Sequence, residues 1–326
     1  MLADFLTSTL PDDLRRARAL LRSGRVTDAQ GVLSVVPGLD AEPHLTVLWL
    51  ASTLEVQLAR GEMSRATATD ERLRELGSHR GFAGALAHYA RGELRAALGE
   101  AELASELYAE AGSLLSGDLD DPDLVPWRAG AALTLTRLRR NREAQELAEA
   151  NLVLARRSGS AYAVAQALRT LAATAIGDGR TRLLREARAT LEGVTADRLA
   201  AQIDTDLAVL LTLQDPVGAR DEAVTMLRSA EAYAGREDLF PLQNRVRHLL
   251  HRLGERPRLI RSETLAMLTA SEQRAARMAA SGLTNRQIAA EMTVTIKAVE
   301  WHLSHVYRKL GVPNRTGLAE TLGEAV

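Results

Sequence analysis

The sequence predicts an all-α protein in two parts, a long array of helix pairs followed by a smaller four-helix domain. Three observations carry that expectation. Ala, Leu, Arg and Glu dominate while aromatic residues make up only 3% of the chain, and no run of alternating apolar and polar residues lasts beyond a few positions, so strands have little to be built from. Glycine and proline cut the first part into helix-length segments. Past residue 268 the spacing tightens, and hydroxyl-bearing residues stand where short helices would begin.

With 326 residues the prior is about two domains at roughly 100 to 200 residues each. Hydrophobic residues at 46% and charged residues at 25% describe an ordinary globular chain. No apolar run approaches the roughly 18 residues of a membrane span, and the N-terminus lacks the cationic and apolar regions of a leader, so a cytoplasmic protein is expected. The absence of cysteine excludes disulfides, thiol nucleophiles, zinc ribbons and iron–sulfur clusters. The only lysines are Lys297 and Lys309. A P-loop and a receiver domain each need their own lysine, so neither fits before residue 297. No nucleophile–base order or framed carboxylate pair stands out, and the expectation is no enzyme, no cofactor and no metal. Net charge is −1 overall, yet residues 268–326 carry +2, residues 252–263 another +2 and the remainder −5. A mildly acidic body joined to a basic tail suits an anion-binding C-terminus.

In the body, breaks fall at Gly24, Gly61, Gly77, Gly99, 117–122, Gly159, 177–179, Pro216 and Gly235. The segments between them pair into helical hairpins. An alanine followed four residues later by a large apolar residue recurs in the second helix of each hairpin: Ala29/Leu33, Ala104/Tyr108, Ala148/Leu152, Ala187/Leu191 and Ala223/Leu227. With one degenerate unit near 62–77, the period is about 39 residues, which suits a stacked solenoid in which the alanine admits the neighbouring helix. This pattern resembles the tetratricopeptide (TPR) superfamily in shape, without the aromatic and Trp-x-x-Leu-Gly marks of its consensus. The alternative is a generic helical bundle without superhelical stacking. About six pairs and a final helix occupy residues 1–253, and the arginine-rich stretch 254–267, broken by Pro257, reads as a linker.

The second domain, 268–326, begins with a capping box at Thr269 and Glu272 and a first helix over about 270–281, stopped by Gly282. Thr284 and Gln287 form a second box, with Leu283 and Ile288 as a staple, and open a short helix ending near Met292. Thr295 caps a third, longer helix running to Gly311 and closed by Pro313, and Asn314 caps a fourth over about 315–323. A three-residue turn between the second and third helices makes a helix-turn-helix.

Several spaced residues here carry a specific likeness: Glu272, Gly282 before Thr284-Asn285, Ile288-Ala289, Val299-Glu300-x-His302, and Lys309-Leu310-Gly311-Val312 with Arg315. On these, residues 268 to about 322 resemble the LuxR/FixJ/GerE-type DNA-binding domain. Ala275, Met292 and Ile296 depart from its usual pattern in minor ways. Together with the helical body, the chain resembles the C-terminal portion of large LuxR-type, MalT-like regulators without their nucleotide-binding module, either as a short relative or as a piece of a longer protein. The resemblance implies a bacterial transcription activator that works with RNA polymerase and binds double-stranded DNA as a homodimer. It also implies dimerisation through the fourth helix, placing Leu318 and Leu322 near the interface, although both could equally be core.

Helix geometry tests the third helix independently. Turning about 100° per residue from Val299 brings Leu303, Val306 and Leu310 onto one buried stripe and puts Lys297, Trp301, Ser304 and Arg308 on the opposite face. Lys297, Glu300, Trp301 and Ser304, in the first turns, are the expected base readers. Asn285, Thr295, His305, Arg308 and Lys309 are assigned to the DNA backbone. Other placements stay open. Trp301 could pack on the helical body, Glu300 could pair with Lys297 instead of a cytosine amino group, and Asn285 could only help a cap. His302 and His305 share a metal-like spacing without a third ligand. The expected function is a DNA-binding regulator whose solenoid takes an effector, peptide or protein partner. The alternative is an adaptor whose C-terminal domain binds protein.

Overall fold

The structure is a computed structural model of the chain, described over residues 10–35, 43–77, 79–177, 179–255, 268, 270–292, 294–310, 312 and 314–322. The expected cap at Thr269, the stops at Gly311 and Pro313 and the linker stretch 256–267 lie outside the described residues. So do the side chains of Lys309, Leu310 and Leu322. The described residues hold helices and no strand, and the chain divides into two compact units, 1–255 and 256–326.

The first unit is a TPR-like solenoid of six helix pairs and a closing helix. The pairs are α1 (Asp12–Ser23) with α2 (Val26–Val35), α3 (Pro43–Arg60) with α4 (Met63–Leu76), and α5 (Phe82–Leu98) with α6 (Ala101–Ser113). Next come α7 (Trp127–Arg137) with α8 (Asn141–Ser158), α9 (Ala161–Thr174) with α10 (Gly179–Thr190), and α11 (Asp197–Gln214) with α12 (Arg220–Arg236), and α13 (Phe240–Arg252) ends the array. Each helix packs on the one before it. Every repeat alanine is buried with its large partner, from Ala29 and Leu33 to Ala223 and Leu227, because the small side chain lets the next backbone approach while the large one fills the groove a turn later. At Tyr108 the fit is tight on both sides. A Cβ on Gly92 or Gly130 would come within 2.8 or 2.5 Å of its ring.

The degenerate unit has a physical explanation. On α4 the repeat alanine is Ala66, fully buried, and the position four residues later is Asp70, only 4% exposed. Its carboxylate accepts from Arg91 Nε at 3.0 Å and from Arg95 Nη2, so an ion-paired acid stands where the other copies carry an apolar side chain. One turn escapes glycine and proline punctuation, and another comes a few residues later than expected, because Gly235 lies within α12. Between α7 and α8 the chain reverses at Arg139, with φ 59°, and between α12 and α13 at Asp238, with φ 53°. Left-handed backbone at non-glycine residues is uncommon, and the carboxylate of Asp238 is fixed by Arg60 Nη2 at 3.3 Å.

The superhelix closes on itself. Helix α1 meets α11, and α3 meets α13. Tyr233 Oη donates to the Gly24 carbonyl at 2.7 Å, the Thr27 amide donates to Glu237 Oε2 at 2.9 Å, and Arg198 pairs with Glu55. The first helix of each pair and α13 turn one face inward, onto a cavity of about 390 Å³.

The second unit contains α14 (Ala270–Ala280), α15 (Asn285–Met292), α16 (Ile296–Leu310) and α17 (Arg315–Leu322). After α14, Gly282 takes φ 90° and the Leu283 amide donates back to the Met278 carbonyl at 3.0 Å, the left-handed C-terminal stop that glycine makes easy. The Thr284 box is complete. The Thr284 amide donates to Gln287 Oε1 at 2.8 Å, and the Gln287 amide donates to Thr284 Oγ1 at 3.3 Å. Thr295 Oγ1 accepts from the Ala298 amide at 3.2 Å, and Asn314 Oδ1 from the Gly317 amide at 3.0 Å. The core gathers Ala275, Ala276, Ala279, Ile288, Val299, Leu303, Val306 and Leu318.

Candidate nucleic-acid interface

Helix α16 is sharply two-faced. Val299, Leu303 and Val306 are buried against α14 and α15, while Lys297, Glu300, Trp301, Ser304 and Arg308 are exposed. The split follows from sequence, since residues three, four and seven apart fall on one side of a helix and must bury together. Trp301 is 57% exposed. Its ring is braced instead of buried: His305 lies 4.0 Å away centroid to centroid, His302 meets it edge-on at 5.2 Å, and His305 Nδ1 sits 2.8 Å from the Trp301 carbonyl. A large aromatic held by its neighbours loses little conformational freedom on meeting a ligand.

The expected base-reading residues therefore share one exposed face. No ion pair joins Glu300 to Lys297 among the described residues, so the carboxylate stays available to accept. Of the backbone set, Thr295 is exposed but spends its hydroxyl on the cap of α16, and His305 spends one ring nitrogen on the Trp301 carbonyl. Asn285 is half-buried at the start of α15, with Oδ1 3.5 Å from Arg315 Nη1. Leu318, expected near a dimer interface or in the core, is fully buried in the core of its own domain. Helix α17 packs on α14 at this point.

Arg315 has a role the sequence reading did not reach. Its Nε donates to the Ala279 carbonyl at 2.8 Å and its Nη2 to the Leu283 carbonyl. It thus occupies the unsatisfied carbonyl end of α14, where a cation also suits the helix dipole, and ties α17 to the turn that presents α15. Nothing local marks those partners, more than 30 residues back along the chain. His302 and His305 recruit no third ligand, and among the described residues no group of three or more potential metal-ligating side chains converges.

Residues 266–322 match the family described as bacterial regulatory proteins, luxR family. This is a LuxR-type helix-turn-helix domain. A LuxR-type domain of this kind supports a transcription regulator. A curated relative, the HTH-type transcriptional regulator Rv0890c of Mycobacterium tuberculosis, is 40% identical over 67 residues, covering 21% of this chain and 7% of the relative. The chain therefore aligns with only a small fraction of that relative's length. Solved structures that resemble the chain include the apo form of RapI, with TM-score 0.47 and 12% identity over 74% of this chain and 71% of that one. The apo quorum sensor NprR from B. thuringiensis gives TM-score 0.39 and 10% identity, with 91% and 97% covered. A Rap protein complexed with competence and sporulation factor gives 0.40 and 14%, with 96% and 98% covered. All three lie below a TM-score of 0.5, and the solenoid architecture rests on the helix pairing itself. No helix among the described residues is long and apolar enough to cross a membrane.

Proposed function

We propose that this protein is a bacterial transcription activator that inserts α16 of its LuxR-type domain into the major groove as a homodimer. In this reading its DNA binding is controlled by an effector or partner held in the helical solenoid. The carrying observation is the exposed face of α16, where Lys297, Glu300, Trp301 and Ser304 lie together opposite a fully packed stripe. A major groove is wide enough for a helix and offers what that face needs: thymine methyls for the indole, cytosine amino groups for the carboxylate and purine acceptors for lysine. Asn285, Arg308 and Lys309 contact phosphates and set the register. Dimerisation is assigned to α17, with Leu322 as its candidate. Such a regulator works in the cytoplasm and acts on RNA polymerase at its operator.

Selection from fragmented genomic DNA of the source organism by the purified chain tests this. The expected result is enrichment of a shared, two-fold symmetric sequence. Equal retention of all fragments, or none, overturns it.

A further inference from the structure

We infer that the cavity enclosed by the solenoid is a binding site for a small organic monoanion, a carboxylate on an apolar body, seated on Arg18. The inference rests on the proposed effector control and supplies the chemistry of the effector. Four guanidinium groups line the cavity, those of Arg18, Arg22, Arg169 and Arg198. Three are matched by a carboxylate. Arg22 pairs with Asp123 at 2.5 Å, Arg169 with Asp206 at 2.6 Å, and Arg198 with Glu55. Arg18 has neither an ion pair nor a hydrogen bond among the described residues. Burial, with the neighbouring Arg22 charge, lowers its pKa from the ordinary arginine value, while the charges of Glu55 and Asp123 act in the opposite sense.

The one other acid on the wall is engaged elsewhere. Glu93 accepts from Tyr108 Oη at 2.6 Å, and burial pushes its carboxyl pKa up, toward the neutral form. Among the described residues Arg18 is thus the guanidinium of this wall that no carboxylate bonds directly. A single negative charge balances it, whereas a phosphate dianion overshoots and a neutral ligand leaves the guanidinium as it was. The same wall carries apolar side chains able to take an organic body, among them Leu54, Leu86, Leu133 and the ring of Tyr89. A volume of about 390 Å³ lies in the small-molecule range of roughly 300 to 1,000 Å³.

Calorimetric titration of the full chain with octanoate and phenylacetate tests the inference, with their amides as neutral counterparts and phenyl phosphate as the dianion. The carboxylates are expected to bind at millimolar concentration or better and to raise the melting temperature of the solenoid. The amides are expected to bind at least about tenfold more weakly, as the loss of one charge-assisted contact requires. Arg18→Met should abolish carboxylate binding while leaving the ligand-free melting temperature unchanged or higher, an outcome that a structural role for Arg18 would reverse. Leu133→Trp, at a position already partly open, should block binding by filling the cavity. Failure of both carboxylates to bind, equal binding of the amides, tighter binding of phenyl phosphate, or binding retained in Arg18→Met overturns the site. Carboxylate binding that leaves DNA affinity unchanged supports the site and overturns effector control instead.

Discussion

Trp301 and Arg308 share the exposed face of α16 but stand at different depths along it, and under the proposed DNA-binding role that separation would divide their work. Trp301 lies in the first turns, where a recognition helix meets base edges. Arg308 lies about two turns further on, where on that proposal the DNA backbone would pass. Trp301→Ala leaves net charge untouched and deletes the largest exposed apolar side chain on the helix. It should cost about 1 to 3 kcal/mol at the operator and much less on random DNA, so the specificity ratio falls. Arg308→Ala should weaken binding to all sequences alike and flatten the salt dependence by about one unit. Salt titrations on operator and random duplexes measure both effects. An unchanged ratio for Trp301→Ala together with altered base preference for Arg308→Ala would mean that the helix enters the groove in another rotation. At this scale the sequence was legible wherever periodicity decides burial, as it does for Val299, Leu303 and Val306. It was not legible for Arg315, whose carbonyl partners on α14 and the following turn come close only through the fold.

Asp70 shows how an element can keep its place in a repeat while changing the chemistry that holds it. The position belongs to a large apolar residue in the other copies, yet here a carboxylate ties α4 to Arg91 and Arg95 on α5. Replacing a buried pair with apolar groups can be neutral, but removing only one partner leaves uncompensated charge. Asp70→Ala should therefore destabilise the solenoid by about 3 to 5 kcal/mol, read as a lower urea midpoint at unchanged slope. Loss below about 1 kcal/mol would place the pair with ordinary surface ion pairs. Asp70 is also why the period looked broken near 62–77: the alanine survives, but its apolar partner does not. The turns at Arg139 and Asp238 were hidden for a related reason. Glycine is the usual residue for left-handed backbone, and neither turn uses one; near the second, Gly235 suggested the break but sits in the last turn of α12. In the second unit the Thr284–Gln287 box was legible because capping is local, with both partners three residues apart.

At the scale of the first unit, closure of the superhelix was not readable, since its bonds join residues more than a hundred positions apart and obey no short-range spacing. Tyr233 reaches Gly24, and Glu55 reaches Arg198. Carboxylates carry much of this closure, which gives the ring a pH dependence of definite sign. Burial alone would raise the Glu55 pKa, but Arg198, by its charge and its hydrogen bond, together with Arg18 and Arg22, holds it below the ordinary value. Asp206 of α11 is likewise raised by burial and brought below the ordinary value by Arg169 of α9 and Arg245 of α13. A carboxyl whose pKa is lower folded than unfolded contributes its full stability above the unfolded value of about 4 and loses it as pH falls through the folded value. The solenoid should therefore keep a level melting temperature from neutral pH down to about pH 5 and lose it progressively on further acidification. Glu55→Gln combined with Asp206→Asn should start from a lower melting temperature at neutral pH and show a shallower acid slope, because fewer native carboxylates remain to be protonated. Circular dichroism melts of both proteins across this range measure the two slopes. Equal slopes would place the acid sensitivity in other carboxylates and leave the Glu55 closure and the Asp206 bridge between neighbouring repeats without a measurable part in the stability of the solenoid.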